Sequence, residues 1–261
     1  MLVRPSALIT ALLVVPLTVR AAPPACEAAS GPHTVAVLEL YTSEGCNSCP
    51  PADHLVSRLP SSGLTADKVL PLGFHVDYWD YIGWKDRFAS PAYSQRQHDL
   101  ARAGGASVVY TPQFFLDGRD FRGGENRLKS VIGEVNSTPA RASIRLALRQ
   151  QSPGQWDVAG RVDVPDGANA KDAVVYLALY ENRLVSDVRA GENRGVTLKH
   201  DFVVRDWLGP LSLDPSGELE LKRTLQLKSD QKLKDSGVAA IVQNRRNSDV
   251  LQALQLPYCG T

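Results

Sequence analysis

Several features that mark common protein classes are scarce or absent in this 261-residue sequence. Its 29 basic and 28 acidic residues leave a net charge of +1, without blocks of either sign. This balance excludes the basic surface of a nucleic-acid-binding or membrane-surface protein. Met1 is the sole methionine, so the mature chain offers no thioether ligand to copper. No later segment is apolar over the roughly 20 residues that a membrane-spanning helix requires, so we expect a protein that does not span a membrane.

The N-terminal segment has the features of a secretory signal peptide. Met1–Pro5 carries one cation, Arg4, and the following Ser6–Val19 segment is almost free of charge. Residues 19–22 then offer small side chains for cleavage. We expect residues 1–21 to be removed and the mature protein to be exported, either periplasmic or secreted. Export places the cysteines in an oxidising environment, where disulfides form and persist.

The local sequence pattern changes near residue 139. Before it, predicted strands at residues 35–41, 69–76 and 113–117 alternate with predicted helices at 52–59, 92–103 and 126–135. This order is typical of an α/β layer with a partly parallel sheet. After it, apolar and polar residues alternate in three segments, and further short strands are predicted at residues 173–180, 196–204, 238–243 and 250–256. About seven short strands separated by turn residues are typical of a β-sandwich. We therefore predict an α/β domain over residues 22–139, followed by an all-β sandwich domain over residues 140–261.

Two of the four cysteines stand near the ends of the mature chain. Chain ends often lie close together at a domain surface, so we predict a structural disulfide between Cys26 and Cys259. The alternative is a second redox couple, but nothing around either residue would lower the pKa of its thiol.

The other two cysteines, Cys46 and Cys49, form a Cys-x-x-Cys motif between a predicted strand and a predicted helix. A pair at this spacing closes a small disulfide ring with little movement, and the unpaired N–H groups at a helix start favour a thiolate. One alternative is a static disulfide. Another is a zinc site, which needs four ligands that are not present nearby, so we expect no metal.

A second feature favours the redox interpretation. Thr111 and Pro112 stand at the start of a hydrophobic strand that ends in an Asp-Gly turn. With the Cys-x-x-Cys motif and the closing helix, residues 33–137 resemble the thioredoxin fold. Three segments more closely resemble a group of exported bacterial thioredoxin-like proteins that is classed as a domain of unknown function. These segments are Leu40–Cys46, Cys49–Asp53 and His75–Asp80. The expected fold class is therefore an α/β thioredoxin-like domain followed by the sandwich.

The resemblance implies roles for individual residues. Cys46 would be the attacking sulfur and Cys49 the resolving thiol. Pro112 would follow a cis peptide bond, and Thr111 would offer its backbone to an extended peptide. Glu39, the one charge in its apolar strand, would handle protons for the inner cysteine, although a solvated or hydrogen-bonded Glu39 is an equal alternative.

An aromatic run follows the second predicted strand. Tyr78, Trp79 and Trp84 lie in this run, and they would form a groove wall where a substrate docks. The alternative is that these rings cover the edge of the sheet.

The sequence thus predicts an exported thiol–disulfide oxidoreductase that acts on protein cysteines without a bound cofactor. Its expected partners are a cysteine-containing protein substrate and a second thiol–disulfide protein that resets the pair. The competing hypothesis is a non-catalytic binding module with an inert Cys46–Cys49 disulfide, whose sandwich recruits a partner.

Overall fold

The computed structural model describes residues 26–152 and 154–259, so the predicted signal peptide at residues 1–21 lies outside the described residues. The described chain contains four α-helices: α1 (Pro50–Arg58), α2 (Pro91–Ala103), α3 (Glu125–Asn136) and α4 (Gly167–Ala170). Its fourteen strands are β1 (Cys26–Ala29), β2 (Ala36–Thr42), β3 (Val69–His75), β4 (Gln113–Leu116), β5 (Arg119–Phe121), β6 (Ser143–Ser152), β7 (Gln155–Asp163), β8 (Ala173–Glu181), β9 (Leu184–Asp187), β10 (Thr197–His200), β11 (Val203–Ser212), β12 (Glu218–Gln226), β13 (Ser236–Asn244) and β14 (Val250–Pro257).

An eight-stranded mixed sheet forms the centre of the molecule, with the strand order β14-β13-β8-β11-β3-β2-β4-β5. Strands β2 and β3 are parallel and in register, with Thr42 opposite His75 at their carboxyl ends. All seven residues of each of these strands are buried. Such unbroken burial is expected of parallel strands that are covered on both faces.

The two faces of this sheet are covered by different elements. Along β2, Val37 and Tyr41 pack on one face in a cluster that includes Tyr93 of α2. The intervening Leu38 packs on the other face against Leu128 of α3. On the α3 face, further along the sheet, β8 and β13 pack against a separate four-stranded sheet in the order β1-β6-β7-β12.

The predicted fold class, an α/β thioredoxin-like domain followed by an all-β sandwich, is wrong. The described residues are 42% strand and 21% helix, arranged in three sheets with few helices. Strands β8, β11, β13 and β14 all follow residue 139, yet they extend the sheet that β2–β5 begin. The physical reason is the pairing of β11 with β3, which makes one continuous sheet from both parts of the sequence. The division of the chain at residue 139 remains a prediction.

Among residues 26–152 and 154–259, none of the helices has the length and apolar composition needed to cross a lipid bilayer.

A disulfide joins Cys26 in β1 to Cys259, which follows β14, with 5.6 Å between their Cα atoms. It ties the four-stranded sheet to the last strand of the eight-stranded sheet. The two cysteines are separated by 233 positions in the sequence, so the largest effect of the bond is expected on the entropy of the unfolded chain.

We expect the double variant Cys26→Ser/Cys259→Ser to lose on the order of 5 kcal/mol of unfolding free energy, because the unfolded chain regains the entropy of the open loop. Urea unfolding monitored by circular dichroism measures this loss. Selective reduction of the Cys26–Cys259 bond in the wild-type protein serves as the control and should produce the same loss. Equal unfolding midpoints for the variant and the oxidised wild type would contradict this account.

Candidate functional site

The Cys46–Cys49 pair forms a disulfide in the loop between the end of β2 and the start of α1, with 5.5 Å between the Cα atoms. This loop lies at the carboxyl ends of the parallel strands β2 and β3. Both cysteines are 0% exposed, whereas Asn47 and Ser48 between them are exposed. The disulfide therefore lies just beneath the surface, with only the middle of its ring in contact with solvent.

The helix that follows the disulfide offers few N–H donors to a thiolate. Helix α1 begins with Pro50 and Pro51, neither of which carries a backbone N–H, and the N–H groups of Ala52 and Asp53 both donate to Cys49 O. The first-turn donors that usually stabilise a thiolate at a helix start are therefore missing or already used. Any stabilisation of a thiolate here must come mainly from side chains and from the remaining helix dipole.

The peptide bond between Thr111 and Pro112 is cis. In the antiparallel register of β2 and β4, Tyr41 lies opposite Gln113, which places Pro112 at the same end of the sheet as the disulfide loop. The Thr111 Oγ1 atom accepts a 2.6 Å hydrogen bond from Trp79 Nε1. The structure therefore brings Thr111, Pro112 and Trp79 together at the edge that carries Cys46.

The three aromatic residues predicted to line a groove point their polar atoms at three different partners. Trp79 contacts Thr111, whereas Tyr78 donates to Gln97 of α2 at 3.0 Å. Trp84 is directed inward, and its Nε1 donates to Glu44 Oε2 at 2.8 Å. Trp84 therefore helps to hold the segment before Cys46 in place.

Five ionisable side chains are buried next to the disulfide loop and form what we call the buried polar cluster: Glu44, Asp53, His75, Asp86 and His200. His75 Nδ1 lies 2.6 Å from Asp86 Oδ2, which also accepts from Glu44 N at 2.9 Å. His200 Nε2 lies 3.5 Å from Glu44 Oε1 and His200 Nδ1 lies 3.9 Å from Asp53 Oδ2, both longer than ordinary hydrogen bonds. The two imidazole rings meet edge to face with 4.9 Å between their centroids.

Charge interactions within the cluster oppose the effect of burial on its pKa values. Burial alone would lower the pKa of His75, but the charge and the hydrogen bond of Asp86 raise it to about 8. Burial would raise the pKa of Asp86, yet His75 holds it below its ordinary value. For Asp53, burial dominates and raises the pKa, because its contacts with His200, His75 and Thr42 only partly compensate. The cluster thus contains a cationic imidazole at neutral pH and a carboxyl group that binds its proton more tightly than usual.

Within the described ranges, no group of three or more histidine, cysteine, aspartate or glutamate side chains is arranged to hold a metal ion.

Glu39, the residue predicted to transfer protons for the inner cysteine, lies on the face of the sheet opposite α1. Its carboxylate accepts two hydrogen bonds from Arg96, at 2.7 and 2.6 Å, and one from the Tyr41 hydroxyl at 2.8 Å. Alternation along β2 directs Glu39 to the face that α2 covers, whereas Leu40 packs against α1, the helix that follows Cys49. The structure therefore does not bring Glu39 together with the cysteines.

Sequence reasoning missed the buried polar cluster. Glu44 and His75 each stand at or just after the end of a predicted strand, and neighbouring parallel strands bring such residues together. That signal was available for these two residues. His200 reaches the cluster from a distant segment after β9, and no local pattern indicates it.

A protein-family model described as "Protein of unknown function (DUF1223)" matches residues 37–243 of the sequence. The comparison with curated proteins gave no significant match.

Two solved structures are similar to this protein. Protein AGR_C_4864 from Agrobacterium tumefaciens is 26% identical, with a TM-score of 0.62, over 89% of this chain and 98% of its own. HBP35 of Porphyromonas gingivalis is 18% identical, with a TM-score of 0.64, over 87% of this chain and 76% of its own. The second likeness concerns the fold alone.

We expect Glu39→Gln to lower the free energy of unfolding by about 3 kcal/mol, because it leaves the buried Arg96 cation without its counter-charge. Urea unfolding measures the loss, and Glu134→Gln on the exposed side of α3 is the matched control with no loss expected. The redox potential of Cys46–Cys49 should not change. A shifted potential with unchanged stability would instead support the proton-handling role.

The His75–Asp86 pair should make stability depend on pH. The folded-state pKa of His75 is raised from 6.5 to about 8, so its contribution of about 2 kcal/mol is complete below pH 6.5 and lost as pH rises through 8. When the pH is raised from 6 to 9, the free energy of unfolding of the wild type should fall by about 2 kcal/mol more than that of His75→Gln. Urea unfolding at each pH measures the difference. His54→Gln, at an exposed position of α1, should behave like the wild type. Parallel profiles for the wild type and His75→Gln would refute the assignment.

Proposed function

The chain belongs to the DUF1223 family, and we propose that it is an exported thiol–disulfide oxidoreductase that acts on protein cysteines through Cys46 and Cys49. One observation carries the proposal. A disulfide between cysteines three positions apart lies at the carboxyl end of β2, directly beside a cluster of buried ionisable side chains. Buried acids and bases with shifted pKa values are costly to keep and are concentrated at functional sites.

The exchange is a two-electron reaction between sulfur atoms. A substrate thiolate attacks Cys46 Sγ, the Cys46–Cys49 bond breaks, and Cys49 leaves as a thiolate that takes up a proton. A second substrate thiolate then attacks the substrate sulfur of the mixed disulfide and releases Cys46. The substrate is oxidised to a disulfide and the protein is reduced to two thiols. A second thiol–disulfide protein restores the oxidised state, and no bound cofactor is needed.

Asp53 is the residue we assign to the proton transfer. It lies one turn of α1 after Cys49, so the two side chains share a face of the helix. Its raised pKa, caused by burial, allows this carboxyl to hold a proton nearer to neutral pH than an exposed aspartate does. In this proposal Asp53 takes the role that the resemblance to the thioredoxin fold implied for Glu39.

We infer export from the cysteines. All four are in disulfides, and disulfides persist in exported proteins but are rare where cellular thiols are kept reduced. The predicted signal peptide at residues 1–21 agrees with this inference.

Trapping tests the proposal. The exchange is reversible, and Cys49→Ala tests it from the reduced side. Its Cys46 thiolate attacks a disulfide of an unfolded test protein, one test-protein sulfur leaves as a thiolate, and the mixed disulfide should accumulate because Cys49 is absent to resolve it. Non-reducing electrophoresis and peptide mapping measure it. Cys46→Ala is the matched control and should trap far less.

A titration of the wild type against glutathione completes this test. We expect a potential between about −270 and −120 mV, the range of catalytic Cys-x-x-Cys pairs. No trapped species together with a potential below roughly −300 mV would refute the oxidoreductase and support the non-catalytic binding module instead.

A further inference from the structure

Strands β9 and β10 form a hairpin that belongs to neither of the large sheets. Its stem is fixed, because Leu184 packs with Phe88 and Val203. Its tip, residues 188–196, is closed by two backbone hydrogen bonds. Val188 N donates to Val196 O, and Gly195 N donates to Val188 O. The tip therefore projects from an anchored base.

The hairpin tip contacts the disulfide loop directly. Asn193 Nδ2 donates to Glu44 O at 2.8 Å and to Cys46 O at 2.9 Å. Glu192 Oε2 accepts from Asn47 N, inside the Cys-x-x-Cys ring, at 3.0 Å. Asn193 is 5% exposed, although the residues on either side of it are exposed. One side chain of the tip is thus inserted against the backbone on both sides of Gly45.

The two cysteines beside this contact are buried, and Ser48 Oγ lies 3.3 Å from Cys46 Sγ. Thiol–disulfide exchange requires an attacking sulfur to reach a disulfide sulfur, and its rate depends on access. Cys46 and Cys49 are both 0% exposed in the closed arrangement. No thiol of a protein substrate reaches Cys46 unless a covering segment moves.

Two glycines give the backbone of the tip a conformational freedom that other residues lack. Gly191 and Gly195 flank Asn193 with φ values of +75° and +83°, and glycine allows such backbone angles to change at low cost. The Glu192–Asn47 hydrogen bond is exposed to competing water. Beneath the tip, both ring nitrogens of His200 and Glu44 Oε1 have no hydrogen-bond partner, so water admitted by opening would satisfy buried polar atoms.

We propose that residues 188–196 are a lid that closes over the Cys46–Cys49 disulfide, with Asn193 and Glu192 as its latch, and that exchange takes place only from the open state. This inference rests on the proposed function for its purpose, because it describes how access to that site is regulated. The partner that opens the lid is expected to be the protein substrate, which gains access to Cys46.

The rate of reduction by a water-soluble phosphine tests the lid, with peptide mapping to distinguish the two disulfides. Asn193→Ala removes both side-chain hydrogen bonds and should accelerate reduction of Cys46–Cys49 by about tenfold or more. Reduction of Cys26–Cys259 in the same molecules should be unchanged and is the internal control. Asn169→Ala, which removes an asparagine contact with Asp166 outside the lid, should leave both rates unchanged.

A second variant keeps the lid testable if Asn193→Ala fails to fold. Glu192→Gln weakens an exposed contact and should accelerate reduction of Cys46–Cys49 by about threefold, whereas the matched Glu220→Gln on β12 should not. If Asn193→Ala also accelerates reduction of Cys26–Cys259 and loses its circular dichroism, the result for Glu192→Gln decides. Unchanged Cys46–Cys49 reduction in folded variants would overturn the lid. The two proposals fail separately, because a lid over an inert disulfide gives these rates but no trapping by Cys49→Ala.

Discussion

The arrangement of this molecule depends on the pairing of β3 with β11. The hydrogen bond from Gly73 N to Phe202 O, at 2.8 Å, joins the two halves of the sequence in one sheet. That pairing brings His200 against His75 and carries the β9–β10 hairpin across the disulfide loop. Without it, the buried polar cluster would lack one of its imidazoles, and the β9–β10 hairpin would not contact the disulfide loop.

Local structure could be predicted well from the sequence, because hydrophobic periodicity is a local signal. Strand β3 at Val69–His75 and helix α2 at Pro91–Ala103 lie within one residue of the predicted ranges. The pairing of strands could not be predicted in this way. The apolar run of β8 predicts a strand, but it does not indicate whether that strand joins a sandwich or extends a sheet that began earlier in the chain. The error in fold class therefore lies in the assembly of the sheet and not in the identification of its strands.

In the candidate site, too, residues with a local sequence signal could be predicted, whereas residues defined by distant contacts could not. Cys46, Cys49 and Pro112 stand out because their spacing or chemistry is local. Glu39 stood out as a lone charge in an apolar strand, but its partner Arg96 lies in α2 on the opposite face from α1, and sequence alone did not indicate it. Asn193 carries no signal at all, since an asparagine between two glycines is ordinary turn chemistry until its contact with Cys46 is known.

The Cys26–Cys259 bridge sets an order on the maturation of the chain. Synthesis proceeds from the N-terminus, so Cys26, Cys46 and Cys49 all emerge long before Cys259. Throughout that interval the correct partner of Cys26 does not exist, whereas two incorrect ones do. Prompt closure of the short Cys46–Cys49 ring removes both competitors, and it leaves Cys26 as the only thiol available when the last strand is complete. The small ring would then protect the large one from mispairing, whatever chemistry it performs afterwards.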